Sequence, residues 1–226
     1  MYPGYYAIVK AIKSLKAYMK EKDIESNFPS VPFKEAIENL KARTIIDHKE
    51  YKLLSDCKKR KYFTLAKVQS FELIQVIKDK LIKGMQEGQT SKMFIDNVHE
   101  LYDSLELTRL DGAYLENIYR TNTFSAYMAG RAQEIQNHIE SIKYLRFLSA
   151  PTACEKYCLP LNNHVAAPSD AFWTEHFPIL HYNCRCDVEI ILYEEDPNDE
   201  IKPSPMQKFP KAMKGFGIAP WIDMLH

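Results

Sequence analysis

The sequence predicts an α+β fold, mainly α: a helical body followed by a small C-terminal, β-hairpin-like lobe organised around a cysteine and histidine cluster. Three observations predict it. Apolar residues recur at steps of three and four through the first two-thirds of the 226-residue chain, the spacing of one helix face. Composition then changes near residue 150, beyond which lie nine of the 12 prolines and four of the five cysteines. Finally, two short β-branched and aromatic runs bracket the cysteine-bearing loop.

In chain order, Ile8, Ile12, Leu15 and Met19 place a first helix over roughly Tyr5 to Lys22. Pro32 suits the first turn of a second, with Phe33, Ile37 and Leu40 on its buried stripe. Phe71, Ile74, Ile77 and Leu81 mark a third, which Gly88 can end in a left-handed cap. Thr90 or Ser91 caps a fourth, with Phe94, Val98, Leu101 and Leu105 inward. A fifth and longest runs from about Asp111 through Ile118 and Ala129 to near His138. The runs 143–148 and 187–193 read as an antiparallel pair of strands. This divides the chain into an N-terminal helical arm (1–60), a central domain (61–193) and a proline-spaced C-terminal tail (194–226). The tail ends in an apolar patch of Trp221, Ile222, Met224 and Leu225, which reads as an arm that docks on something.

With 30 basic and 30 acidic side chains the net charge is zero, which argues against a protein held mainly by nucleic-acid phosphates or an anionic membrane. No apolar run approaches the roughly 20 residues of a membrane helix, and the start of the chain shows no signal segment, so a protein made in the cytosol is expected. The 7 glycines, with none between Gly130 and Gly215, leave little room for a glycine-rich phosphate cradle.

The chemistry concentrates in Cys154, Cys158, His181, Cys184 and Cys186. Thiolate and imidazole are ligands that Zn²⁺ prefers, and the 22 residues between the two groups are a usual span for a structural site. Five donors for four positions leave one spare, either Cys184 or Cys186. These two would point to opposite faces of a regular strand, so both can bind only if the chain turns there. Packed free thiols and disulfides remain alternatives. Elsewhere, Lys58, Lys59, Arg60 and Lys61 form the most basic stretch, either a DNA-phosphate contact or a solvated charge run. His99, Glu100 and Asp103 lack the second histidine of a metalloprotease helix, and His48 with Glu50 lacks the cysteine half of a zinc deaminase.

The run from Pro178 to Val188, with His181, Asn183, Cys184, Arg185 and Cys186, resembles the Pro-x-x-His-x-Asn-Cys-Arg-Cys signature of the Mu F-like phage head morphogenesis domain. Arg120 with Thr121, Gly130 with Arg131, and Cys154 with Cys158 precede it in the family's order, and the resemblance covers roughly residues 60 to 193. Asn122 stands where the family commonly has an acidic residue. The resemblance implies a minor head protein, non-enzymatic, acting in head assembly. Its expected place is the virion head, near the portal or inner capsid. Expected partners are the portal or major capsid protein, with a possible local contact to packaged DNA, and neither membrane nor small-molecule substrate. It also implies a structural role for Arg120, Thr121, Gly130, Arg131 and Arg185, linking helix to lobe. The alternative is a zinc-dependent hydrolase or nuclease using the same cluster, with Glu155, Glu175 or His176 as the nearest base.

Overall fold

The computed structural model describes residues 33–196, 198–205 and 207–219. The expected first helix and the Trp221 to Leu225 patch lie outside the described residues, as does the side-chain placement of Phe33. The chain divides into a unit over Met1–Val31 and a second over Pro32–His226. The second unit contains α1 (Phe33–Ala42), β1 (Thr44–Ile45), α2 (His48–Leu53), α3 (Asp56–Lys59), β2 (Tyr62–Phe63), α4 (Phe71–Glu87), α5 (Ser91–Ser104), α6 (Gly112–Asn137), β3 (Ile142–Leu148), β4 (Val165–Ala166), α7 (Phe172–His176) and β5 (Asp187–Leu192).

Local chemistry sets the helix ends. The Ser70 hydroxyl accepts the Leu73 N–H at 3.2 Å to start α4, and Gly88 ends it at φ 66°, a conformation that costs a residue with a Cβ. Thr90 caps α5 by accepting the Met93 N–H, and Asp111 caps α6 through the Tyr114 N–H at 2.9 Å, each satisfying an orphan first-turn donor. The C-terminus of α1 is closed from outside: the buried Lys78 ammonium donates to the carbonyls of Lys41, at 2.9 Å, and Arg43.

Two apolar cores result. The first gathers Ile37 and Leu40 of α1, Ile74, Ile77 and Leu81 of α4, Phe94 and Val98 of α5, and Leu115, Ile118 and Ala126 of α6. The second takes Met128, Ala132 and Ile135 from the far half of α6 and packs them against Leu145, Phe147, Trp173, Phe177, Leu180 and Val188. At 26 residues, α6 is about 39 Å long, so one helix supplies a face to both cores. Two stripe assignments are corrected. Phe71 is 51% exposed and Leu105 is 49% exposed, because each sits at a helix end where the stripe has rotated off the core. Tyr102 takes the inward position expected of Leu105.

The expected antiparallel pair of strands is present and gains a third member, in the order β4-β3-β5. Leu145 opposes Ile190, Arg146 opposes Glu189 and Phe147 opposes Val188; the Arg146–Glu189 ion pair spans 2.6 Å. A bulge between Ile142 and Tyr144 keeps Ile142 inward with Leu145 and Phe147. The two-residue strands β1 and β2 pair in parallel.

The described part of the C-terminal segment turns back on its own chain. Lys143 pairs with Asp196 at 2.6 Å and with Asp199 at 2.8 Å. The Ser204 N–H then donates to Val165 O at 2.8 Å and the Met213 N–H to Leu180 O at 2.9 Å. The Phe177 N–H donates to Gly217 O, and the Gly217 N–H to Ile179 O. Phe209, Ala212 and Phe216 lie against the second core. Thus the described residues of 204–217 lie along the lobe, joined to it by these backbone bonds and apolar contacts.

Candidate metal centre

The loop from β3 to β5 brings three of the five sequence-selected ligands together. Cys158 closes a turn by donating its N–H to Cys154 O at 3.0 Å, just before a 3₁₀ turn over Leu159–Leu161. Its Sγ lies 3.2 Å from His181 Nε2 and 3.8 Å from Cys184 Sγ. The three donor atoms all lie within 4.8 Å of one another. A tetrahedral ion bound to sulfur at about 2.3 Å holds two sulfurs about 3.8 Å apart, so the pair has the spacing of two ligands of one ion.

The required turn is supplied by Asn183. At φ 62° it occupies the left-handed region, which asparagine tolerates better than most residues. The turn returns the Cys184 N–H to His181 O at 3.2 Å, and β5 begins only at Asp187. Cys184 and Cys186 are therefore both buried, free of the strand alternation that would have set them apart. Helix α6 holds this turn: the Asn183 N–H donates to the Thr121 hydroxyl oxygen at 3.0 Å, while that hydroxyl donates to Asn117 Oδ1.

His181 is oriented for ligation. Its Nδ1 lies 2.7 Å from Tyr182 O, so Nδ1–H donates to the carbonyl and Nε2 turns its lone pair to the thiols, the support a metal-bound imidazole ordinarily has. Hydrogen bonds from Cys158 and Cys186, with His181 beside it, drive Cys184 strongly toward thiolate; the same exchange raises Cys158. The hydrogen bond with Cys184 raises His181 in turn. The two thiols and the imidazole of this group are soft donors of the kind zinc prefers. Cys186 adjoins Cys158 and Cys184 electrostatically, whereas Cys154 is half-buried and acts more weakly on His181. All four of these cysteines are free thiols.

The remaining sequence-selected residues lie outside this three-donor group. Arg131 donates to Val188 O at 3.2 Å and pairs with Glu134, joining α6 to β5, while Gly130 is buried beside it. Arg120 pairs with Glu116, and Arg185 donates to the Thr152 hydroxyl. The basic run is not a solvent-facing patch of four. Lys59 is buried and pairs with Asp56 at 2.7 Å, and Arg60 donates to Ala219 O at 3.0 Å. His176 packs inside an aromatic group, its Nδ1 bonded to Phe172 O, while Glu155 and Glu175 are exposed. His99 bonds Leu110 O and Asp103 pairs with Arg109. Residue patterns alone attach no role to Tyr182, to Thr121 as a turn anchor, or to Asp187, which accepts from Tyr127 at 3.3 Å. Only Asn183 carries a local signal, its residue type next to the cysteines.

The family described as Phage Mu protein F like protein matches residues 75–189, from within α4 into β5. The chain belongs to the phage Mu F-like family. The matched stretch contains Cys154, Cys158, His181, Cys184 and Cys186. Over 179 residues this Mu F-like chain is 26% identical to the "Putative capsid assembly protein F" of Escherichia phage Mu, covering 71% of this chain and 40% of that protein. The chain thus spans well under half the length of that relative. No solved structure matches it. No described helix is long and apolar enough to cross a membrane.

Proposed function

We propose that the chain is a minor head protein that works in phage capsid assembly at the portal or inner shell, as a non-enzymatic part whose C-terminal lobe is fastened by a structural zinc ion. The observation that carries the reading is the family match over residues 75–189 ending on a buried Cys/His group with ligand spacing. Cys158, His181 and Cys184 supply three ligands, and the buried Cys186, which lies outside that three-donor group, is assigned as the fourth because it acts electrostatically on both thiols. A zinc ion there would act as a cross-link, holding the loop before α7 to the start of β5, which α6 already grips through Thr121 and Arg131. A filled four-ligand shell without an open position favours fastening over hydrolysis.

Metal analysis of purified chain tests the zinc: one zinc per chain, with Cys158, Cys184 and Cys186 protected from thiol reagents, is expected. Metal-free protein with three rapidly modified thiols would overturn it. Labelling the chain in purified particles and imaging them tests the role. Density near the portal or inner shell is expected, and absence from particles would refute a virion part.

A further inference from the structure

A cavity of about 910 Å³ opens between the helical half and the lobe, walled by α1 and the stretch after it, by α6, and by residues 177–182 and 215–218. Among its described lining residues, Arg43, Lys59, Arg60 and Lys61 are cationic, and Asp56 is the one carboxylate, already bound to Lys59.

Arg43 is 6% exposed, yet among the described residues no carboxylate pairs with it. Its guanidinium donates to Asn39 Oδ1 from Nε at 3.3 Å and from Nη2 at 2.9 Å, to Ser125 Oγ at 3.0 Å, and to Asn122 Oδ1 at 3.5 Å from Nη1. These acceptors are all neutral. A guanidinium has five N–H groups, so four contacts, one of them long, leave Nη1 with a donor to give. On the same walls, Thr64 Oγ1 and His48 Nδ1 are buried with no hydrogen-bond partner among the described residues. A desolvated cation hydrogen-bonded to neutral groups, with orphaned polar atoms on the walls of the same cavity, is the counterpart of an anion carrying several acceptor oxygens.

Burial decides the size of that anion. A duplex cannot bring its backbone to a guanidinium 6% exposed, whereas a phosphate on a small molecule can enter a cavity of small-ligand volume. Tyr51, Tyr114 and Tyr182 also line the cavity, aromatic surface against which a planar group can pack. We propose that this cavity binds a small phosphate-bearing ligand of mononucleotide size, with the phosphate held by Arg43, Thr64 and Ser125. The site needs no glycine-rich loop, because side chains supply the donors.

Calorimetric titration of the full chain with inorganic phosphate, pyrophosphate and adenosine monophosphate, at fixed ionic strength, tests this. Saturable binding of the mononucleotide at one per chain is expected, tighter than free phosphate; the reverse order keeps the phosphate site and removes the tyrosine wall. Arg43→Gln is expected to weaken binding at least tenfold and Thr64→Val a few-fold. If Arg43→Gln does not fold, Thr64→Val and Ser125→Ala carry the test, and unchanged affinity in both overturns the proposal. So does the absence of saturable binding to wild type. A duplex oligonucleotide that binds more tightly than the mononucleotide and is equally sensitive to Arg43→Gln would overturn the small-ligand reading in favour of a nucleic-acid contact.

Discussion

The hydroxyl oxygen of Thr121, in the middle of the longest helix, accepts the backbone N–H of Asn183 at 3.0 Å. Through this contact α6 fixes the turn that sets His181 and Cys184 against Cys158. Removing the acceptor while keeping the shape, as in Thr121→Val, should cost about 1 kcal/mol and lower the melting temperature by roughly 2 to 4 °C. Zinc affinity, read by competition with a chromogenic chelator, should fall with it. Thr121→Ser should restore both.

Stripping metal from the purified chain should cost more. Chelation, Cys158→Ser and His181→Ala should each lower the melting temperature by on the order of 10 °C, since a structural zinc site contributes folding energy outright. The fourth ligand is separable: Cys186→Ser should release zinc, and Cys154→Ser should leave it in place. Calorimetric melts paired with metal analysis distinguish the two, and zinc loss in Cys154→Ser alone would reassign that position.

Gly217 sits at φ +79°, where an added Cβ would collide with the Glu175 carbonyl oxygen. Gly217→Ala combines that clash with left-handed strain, for a loss of about 2 kcal/mol or more. The 204–217 segment should detach first, seen as faster limited proteolysis there while the helical half stays resistant.

Acid sensitivity should trace to His164. Burial holds its pKa below the ordinary value, with the nearby His176 lowering it further and Asp170 working the other way; its ring lies 4.1 Å from Phe172 and 4.7 Å from Phe209. The unfolded chain then binds the proton more readily. Stability is full above about pH 6.5 and falls as pH drops below that value. His164→Phe should flatten this decline in melts at pH 7.5 and pH 5.5, leaving any loss due to metal release common to both proteins.

Much of this architecture is legible in the residues. Gly88, Thr90 and Asp111 announce ends of α4, α5 and α6 because capping is local chemistry, and the strand pair around the cysteine loop follows from its apolar runs. The approach of Cys158 to His181 is legible through residue type and the family signature. Position along a stripe is less so: Phe71 and Leu105 fit the period yet face solvent, since periodicity says nothing about where the core stops. The strands β1, β2 and β4, two residues each, carry too little pattern to be seen. Burial of Lys59 inside a basic run, and of Arg43 beside amides, depends on which distant segments cover them.

Residues 204–217 bear on how such genes could be exchanged. The family match stops at residue 189, yet Phe177, Ile179 and Leu180, behind the ligand-bearing turn, have backbone partners in Met213 and Gly217. A fragment cut at the edge of the match would bare that apolar surface and three main-chain polar groups. Recombination between phages that swapped the matched stretch alone would deliver a lobe missing its buckle; a transferable cassette has to carry the downstream strap as well.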